Sequence, residues 1–216
     1  YDTRFLSEEF AKTAAGVLAA NGMESLLCNR DTPTPVVAFE VLHMKAAAGL
    51  NITASHNPPT YSGLKFNSTW GGPALPETTQ RIEAACEPYL AGEATPKTGR
   101  EAVGLKKRLI VSHDPMPAYV KQLESLVDRN LLKKGKIRVV VDSLWGAGRG
   151  YLDEFLKNSG VQVTSIHTNR DVLFGGFSPS PDPEILKELK SAMLEKQAHL
   201  GLATDGDADR FGIMDV

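Results

Sequence analysis

Strand and helix patterns alternate along both halves of this 216-residue chain, and the alternation limits the fold more than any single motif does. The clearest strand is the apolar run at residues 137–141, which reads I-R-V-V-V and ends at Asp142 and a glycine-rich turn. Strands that alternate with helices indicate helices packed on a mostly parallel sheet. The sequence therefore predicts an α/β fold with two tandem three-layer α/β/α domains and mixed, mostly parallel sheets.

The first half begins with a helix for which Ser7 is the expected N-cap, and which ends at the Asn21-Gly22 pair. Residues 91–107 have no sustained period and are interpreted as a connector or edge structure. Between these segments, strands are predicted at residues 23–27, 50–53 and 64–66, and helices at residues 33–47 and 77–89.

The second half repeats the strand-and-helix alternation. Helices are predicted from Pro115 to residue 127, at residues 151–158 and at residues 182–196, and strands at residues 137–141, 161–166, 200–203 and 211–214. We expect one domain at residues 1–108 and a second at residues 109–216. Both ends of the chain interrupt strand-like sequence, so the chain is interpreted as a piece of a larger protein.

The composition is that of an ordinary soluble protein, with 42% hydrophobic residues and a formal net charge of −2. No polybasic block indicates a nucleic-acid partner, and no apolar run is long enough to cross a bilayer. The two cysteines, Cys28 and Cys86, lie far apart and match no metal spacing, which predicts a reduced, cytoplasmic protein. Small anionic metabolites remain possible partners.

Residues 205–210 read D-G-D-A-D-R and place carboxylates at alternating positions of a loop. Such carboxylates can converge on one hard cation such as Mg²⁺. An EF-hand is excluded, because Arg210 stands where that loop needs glycine and Val216 where it needs glutamate. A hairpin turn with solvated acids and a phosphatase with an aspartate nucleophile are the alternatives.

Residues 53–58 read T-A-S-H-N-P and place Ser55 in a proline-pinned loop, with Lys65 ten residues further on. A serine hydroxyl needs a base, a metal or covalent activation to act as a nucleophile. His56 is adjacent in sequence, and adjacent side chains usually diverge, so a protease-like pair is not predicted. The alternative is a turn in which Ser55 only caps backbone; rival hydroxyls nearby belong to Thr53, Ser68 and Thr69.

The turn at residues 142–150 follows the apolar strand and contains a G-x-G-x-G spacing. This spacing matches neither the dinucleotide fingerprint nor the Walker loop. A tight strand-to-helix turn is favoured over a phosphate-binding loop.

Taken together, these passages resemble the α-D-phosphohexomutases, which include phosphoglucomutases, phosphomannomutases and phosphoglucosamine mutases. The similarity rests on residues 53–58 with the G-L-K at residues 63–65, and on residues 205–210. Residues 1–4, the turn from Asp142 to Gly148, and the passage from Phe174 to Pro183 add support. The resemblance covers essentially the whole chain and supplies the fold expectation given above.

The resemblance implies a reversible shift of phosphate between O1 and O6 of a hexose, through a phosphoserine and a hexose 1,6-bisphosphate. It assigns the phosphoserine to Ser55 and a Mg²⁺ site to Ser55, Asp205, Asp207 and Asp209. Lys65 is the implied proton shuttle and His56 a neighbour of the phosphoryl group. Substrate or phosphate contacts are implied for Arg210, Asn57 and Arg4.

Two departures from the family pattern are small: Ser62 where many relatives have asparagine, and Ala208 where many have glycine. Family members have four domains, and the chain matches the first two, so domains III and IV are expected to be absent, and the fragment alone to turn over poorly. Glucose or mannose phosphate is the predicted substrate. Glucosamine phosphate, a catalytically silent sugar-phosphate binder and hydrolysis through Asp205 are the alternatives.

Overall fold

The computed structural model describes residues 1–215, apart from the side chain of Ala102. Val216, the residue at the glutamate position of an EF-hand, lies outside the described residues. The helices are α1 (Ser7–Ala20), α2 (Thr34–His43), α3 (Pro76–Leu90), α4 (Glu101–Lys106), α5 (Met116–Leu126), α6 (Arg129–Gly135), α7 (Leu152–Asn158) and α8 (Lys187–Glu195). The strands are β1 (Ser25–Cys28), β2 (Gly49–Ile52), β3 (Leu64–Asn67), β4 (Ile110–His113), β5 (Arg138–Asp142), β6 (Gln162–Ile166), β7 (Leu200–Thr204) and β8 (Phe211–Asp215).

The second half is built on a four-stranded sheet in the order β6-β5-β7-β8. Strand β5 pairs in parallel with both β6 and β7, and β8 returns antiparallel to β7. Side chains alternate along β5, so Val140 packs with Leu189 and Met193 on one face. Val139 and Val141 pack with Phe155 on the other face. Helices therefore cover both faces of this sheet, and the predicted three layers are present here.

The first half contains two separate strand pairs, β1 with β4 in parallel and β2 with β3 antiparallel. The backbone at the start of the chain connects these pairs. The amide of Thr32, just after β1, donates to the carbonyl of Tyr1 at 2.8 Å, and the amide of Asp2 donates to the carbonyl of Ile52 in β2 at 2.9 Å. The β2 end that carries Ser55 is thereby tied to the first residues of the chain.

The predicted fold class is confirmed: the chain forms two tandem α/β units with mixed sheets, and three of the five strand pairings within the described residues are parallel. The division at residues 108 and 109 stays a prediction. Because β4 pairs with β1, strand pairing favours a boundary after His113. Among the described residues, no helix combines the length and the apolar character that crossing a bilayer requires.

Three local predictions need correction. The connector at residues 91–107 contains α4, which Gly104 allows to lie close to Ile110 and Ala19: an added Cβ would be 2.4 Å and 3.0 Å from their side chains. Tertiary packing therefore stabilises a helix whose sequence has little helical period. Ser7 is not an N-cap, because its hydroxyl donates instead to the buried carboxylate of Asp2 at 3.1 Å. The helix predicted from residue 182 begins at Lys187.

Candidate active site

The loop between β2 and β3, residues 53–63, carries Ser55 and is called the serine loop. It is held by the guanidinium group of Arg4, which is completely buried. Its Nε donates to Asp2 Oδ2 at 3.0 Å. Its other donors bind backbone carbonyls, those of Ser55 at 2.6 Å, Asn57 at 2.7 Å, Pro58 at 2.7 Å and Tyr61 at 3.0 Å. An arginine has five N–H donors, and all are used here. Arg4 therefore has no donor left for a phosphate, and the prediction that it contacts phosphate is wrong. Its role is to hold the backbone of the serine loop.

Ser55 itself has a left-handed backbone, with φ of 53°, an uncommon conformation for a residue with a side chain. Its amide donates to Thr53 Oγ1 at 2.9 Å, and the Thr53 hydroxyl donates to Asp2 Oδ2 at 2.7 Å. The rival hydroxyl of Thr53 is thus committed to supporting the loop. The Ser55 hydroxyl donates across to Asp205 Oδ2 at 3.0 Å. A strained backbone and a buried network together direct this one hydroxyl at the aspartate loop.

The aspartate loop connects β7 to β8 and folds around Asp205. Asp205 Oδ1 accepts the amides of Asp209 and Arg210, each at 3.1 Å. Carboxylate oxygens of Asp205, Asp207 and Asp209 lie within 4.8 Å of one another, and the first two residues are buried. The structure therefore brings together the carboxylates that the sequence singled out.

The two loops approach each other so closely that glycine is required between them. A Cβ atom on Gly206 would lie 2.8 Å from the carbonyl oxygen of Ser55. Behind Gly206, the turn at residues 142–150 packs against the same loop: the amide of Ala147 donates to the Gly206 carbonyl at 2.9 Å. Residues 142–150 thus form a strand-to-helix turn between β5 and α7, as the sequence favoured. The turn supports the aspartate loop.

The cluster concentrates negative charge. Burial, together with the charges of Asp207 and Asp209, raises the pKa of Asp205 to about 6. Lys65 Nζ bridges Asp207 Oδ2 at 2.7 Å and Asp209 Oδ2 at 2.6 Å. Burial works against the charge of Lys65, but its hydrogen bonds to these carboxylates raise its pKa. Lys65 is therefore protonated and partly compensates the acidic cluster.

The cluster also fits a divalent metal ion. Among the described residues, Asp207 Oδ1 has no hydrogen-bond partner although it is buried. A buried carboxylate oxygen without a partner is costly unless a cation or water satisfies it. The remaining donors are oxygens of Asp205, Asp209 and Ser55, and an all-oxygen set suits Mg²⁺.

The other predicted residues lie around the serine loop. Arg210 Nη1 donates to His56 Nδ1 at 2.7 Å, so Nδ1 is the acceptor and Nε2 is the ring nitrogen that carries a proton. Arg210 is exposed and keeps other donors available for an anion. The side chain of Asn57 is also exposed, while its carbonyl binds Arg4.

Sequence reasoning missed Thr34 and Asn51, which lie in the first half and reach the aspartate loop. Thr34 donates its hydroxyl to Asp207 Oδ2, and Asn51 Nδ2 donates to Thr34 Oγ1 at 2.9 Å. The only signal was the T-P-T-P run at residues 32–35, which places hydroxyls at a helix start. No pattern in one chain indicates that a loop 173 residues away will meet it.

Comparison with known proteins agrees with this site. The family model described as phosphoglucomutase/phosphomannomutase, alpha/beta/alpha domain I, matches residues 1–91. The model for alpha/beta/alpha domain II of the same family matches residues 117–216. The fold and the paired loops are those of the first two domains of this family. The chain belongs to the phosphoglucomutase/phosphomannomutase family.

Among curated relatives, a phosphoglucomutase of Komagataeibacter xylinus is 32% identical over 99% of this chain and 41% of its own length. A phosphoglucosamine mutase of Bordetella petrii is also 32% identical, over 99% of this chain and 45% of its own length. A crystal structure from Thermus thermophilus, assigned as a phosphomannomutase, superposes with a TM-score of 0.83 at 34% identity, covering 99% of this chain and 46% of that one. The chain thus spans less than half the length of these relatives.

Proposed function

We propose that the protein carrying this chain is a phosphohexomutase, an isomerase that moves phosphate between O1 and O6 of a hexose. Glucose or mannose phosphate is the proposed substrate. The observation that supports this most strongly is the 3.0 Å hydrogen bond between the Ser55 hydroxyl and Asp205 Oδ2. It joins the serine loop of the first half to the acidic cluster of the second half.

In the proposed reaction Ser55 carries a phosphoryl group. The free hydroxyl of the sugar phosphate attacks phosphorus, so the bond from phosphorus to Ser55 Oγ breaks, a bond to the sugar oxygen forms, and the sugar hydroxyl loses its proton. The product is a hexose 1,6-bisphosphate, which turns over in the site. Ser55 Oγ then attacks the other phosphorus, and the sugar leaves as the isomeric monophosphate. The transfer needs alignment and charge neutralisation more than covalent assistance.

Mg²⁺ bound by Asp205, Asp207, Asp209 and an oxygen on Ser55 would neutralise charge on the transferring phosphoryl group. The chain's own residues fix the acceptor geometry. Arg4 holds four carbonyls of the serine loop, and the left-handed backbone of Ser55 directs Oγ at Asp205.

Lys65 is proposed to move the sugar proton. It is protonated while it bridges Asp207 and Asp209, so in that state it cannot accept the sugar proton. It becomes a base only when those carboxylates are neutralised by another cation. His56 presents Nε2–H as a donor near the phosphoryl group, and Arg210 supplies a fixed cation for phosphate. Asn57 is proposed to contact substrate with its exposed amide.

Glucosamine phosphate is the second candidate substrate, because the Bordetella petrii phosphoglucosamine mutase is as similar as the phosphoglucomutase. Hydrolysis through Asp205 is disfavoured by the site: Asp205 is fully buried, and both of its oxygens already accept hydrogen bonds. A silent sugar-phosphate binder would have no need of the Ser55–Asp205 contact.

Intact-mass measurement of the freshly purified full-length protein tests the proposal. We expect one added phosphoryl group that disappears in the Ser55→Ala variant. A label on Asp205 would support the hydrolytic mechanism instead, and hexose phosphate binding without any label would support a silent binder. A coupled assay of residues 1–216 alone should show little mutase turnover; an ordinary enzyme rate would contradict the expectation that sugar and phosphate contacts come from further domains.

A further inference from the structure

Thr34 joins the two halves of the site at a single carboxylate. It is the first residue of α2, and its backbone amide donates to the carbonyl of Asp207 at 2.9 Å. Its hydroxyl donates to Oδ2 of the same residue. Asn51, the third residue of β2, donates a hydrogen bond from Nδ2 to Thr34 Oγ1 at 2.9 Å. Asn51, Thr34 and Asp207 thus form a chain of hydrogen bonds from the first half to the second.

Elementary chemistry fixes the direction of this chain. An ionised carboxylate only accepts hydrogen bonds, so the Thr34 hydroxyl must give its single proton to Asp207. The Thr34 oxygen is then left as an acceptor, and Asn51 must present its NH₂ group to it. Asn51 and Asp207 are completely buried and Thr34 is half-buried, so water cannot easily replace the bonds at either end of the chain.

The arrangement leaves one specific oxygen of Asp207 free. Oδ2 accepts from Thr34 and from Lys65, whereas Oδ1 is buried and has no partner among the described residues. We propose that Thr34, oriented by Asn51, is a positioning residue that locks the Asp207 carboxylate so that Oδ1 is presented to the divalent cation. This inference depends on the metal site of the proposed function, and it adds a residue that neither the sequence motifs nor the acidic cluster contains.

The size of the effect follows from other metal sites. Residues that orient a metal ligand without touching the ion typically change affinity by about 10–100-fold when they are removed. A Thr34→Val substitution keeps the shape of the side chain and removes the hydroxyl. Asp207 Oδ2 would then lose the Thr34 donor and keep Lys65, so the carboxylate would be held less firmly. We expect Mn²⁺ affinity to fall by about 10-fold or more.

Isothermal titration of Mn²⁺ into residues 1–216 tests the inference on the metal alone, without any enzyme assay. Thr34→Ser should bind Mn²⁺ with an affinity within about threefold of that of the original chain, because the hydroxyl that orients Asp207 is retained. Thr32→Val is the matched control. Thr32 is a buried threonine two residues away whose hydroxyl donates to the carbonyl of Arg30 at 2.9 Å, away from the acidic cluster. Thermal unfolding in the presence of chelator shows whether the variants are folded to the same extent.

Each outcome decides a separate point. A loss in Thr34→Val that Thr34→Ser restores and Thr32→Val lacks would support the positioning role. Unchanged affinity in Thr34→Val, or an equal loss in Thr34→Ser or Thr32→Val, would overturn it while leaving the metal site intact. Failure of the original chain to bind Mn²⁺ at all would overturn the metal site of the proposed function, and this inference with it.

Discussion

The two halves of the molecule differ in the interactions that fix their active-site loops. The hydrophobic clusters found among the described residues flank β5 in the second half, where valines pack against α7 and α8. The first half also buries apolar residues such as Val36 and Ile52, but its serine loop is fixed by a polar network centred on Arg4 and Asp2. Its fully or nearly fully buried polar residues are Asp2, Thr3, Arg4, Ser7, Asp31, Thr32, Glu40, Asn51, Thr53, Ser55 and Asn67.

This difference matches what each half contributes to the site. Hydrophobic packing is non-directional and provides a rigid platform, which suffices for a loop whose own backbone amides fold around Asp205. Hydrogen bonds are directional, and a buried, fully satisfied network specifies one geometry. The first half, which must orient the Ser55 hydroxyl, uses directional hydrogen bonds.

The largest expected effect comes from Arg4→Met. This change leaves the Asp2 carboxylate buried without its cation and four loop carbonyls without donors. Breaking a buried ion pair on one side costs about 3–5 kcal/mol. We expect urea denaturation to show a loss of about 4 kcal/mol, with hydrogen exchange increasing first in residues 1–67.

Arg4→Lys serves as the control for charge, because it keeps the cation and loses the fork of donors. It should recover part of the stability and little of the protection of the serine loop. A loss below about 1 kcal/mol in Arg4→Met would mean an exposed, weakly coupled side chain, and would remove the proposed contrast between the halves.

Leu189→Ala tests the other half. Leu189 is completely buried in the cluster on one face of β5, and truncation of a buried leucine costs about 2–5 kcal/mol. We expect a loss of about 3 kcal/mol, with faster exchange confined to the four-stranded sheet and its helices. Equal loss of protection in the serine loop would show that the halves do not differ in the way described.

Ala208→Gly should have a smaller and opposite effect. Ala208 lies in the aspartate loop with φ of 56°, a left-handed conformation that costs a residue with a Cβ about 1–2 kcal/mol. The greater freedom of glycine in the unfolded chain offsets part of this strain. We expect thermal unfolding to report a gain of about 0.5–1 kcal/mol. A net loss would show that the loop is not strained at this residue.

His167 should give the smallest effect, as a pH dependence of the second half. Burial opposes the charge of this residue, but hydrogen bonds to Asp142 at 2.9 Å and Glu188 at 3.0 Å raise its pKa. A raised pKa in the folded state gives stability that is complete below about pH 6.5. That stability is lost as the pH rises through the folded-state pKa.

The contribution of His167 to the pH dependence of stability can be isolated with His167→Gln. This variant keeps a hydrogen-bonding side chain and removes the group that titrates. Denaturation from mildly acidic to mildly alkaline pH should show stability falling for the original chain and a flatter profile for the variant. Stability that rises with pH around this range in the original chain but not in the variant would contradict the assignment.

The sequence was sufficient for the fold class and for the pairing of the two loops. Apolar strands such as β5 carry a local signal, and the serine and aspartate passages resemble a known family on residues that can be quoted. What local patterns could not supply is the identity of buried polar partners. Arg4 was interpreted as a phosphate contact. Its actual partners are carbonyls more than 50 residues away, which no local pattern indicates.

The same limit explains the short elements that were missed. Helix α4 and strand β4 have weak periodicity and are stabilised by α1 and β1 respectively. Serine is a residue type favoured at N-caps, yet the Ser7 hydroxyl donates its hydrogen bond to the buried Asp2 carboxylate. In each case a distant contact outweighs a local preference.

We propose that Ser55 and the three aspartates share one cation. An anomalous difference map from crystals soaked in Mn²⁺ tests this most directly. We expect a single peak in contact with Asp205, Asp207 and Asp209 and with the side-chain oxygen, or its phosphoryl group, on Ser55. A peak bound elsewhere, or bound by the aspartates with Ser55 turned away, would contradict it.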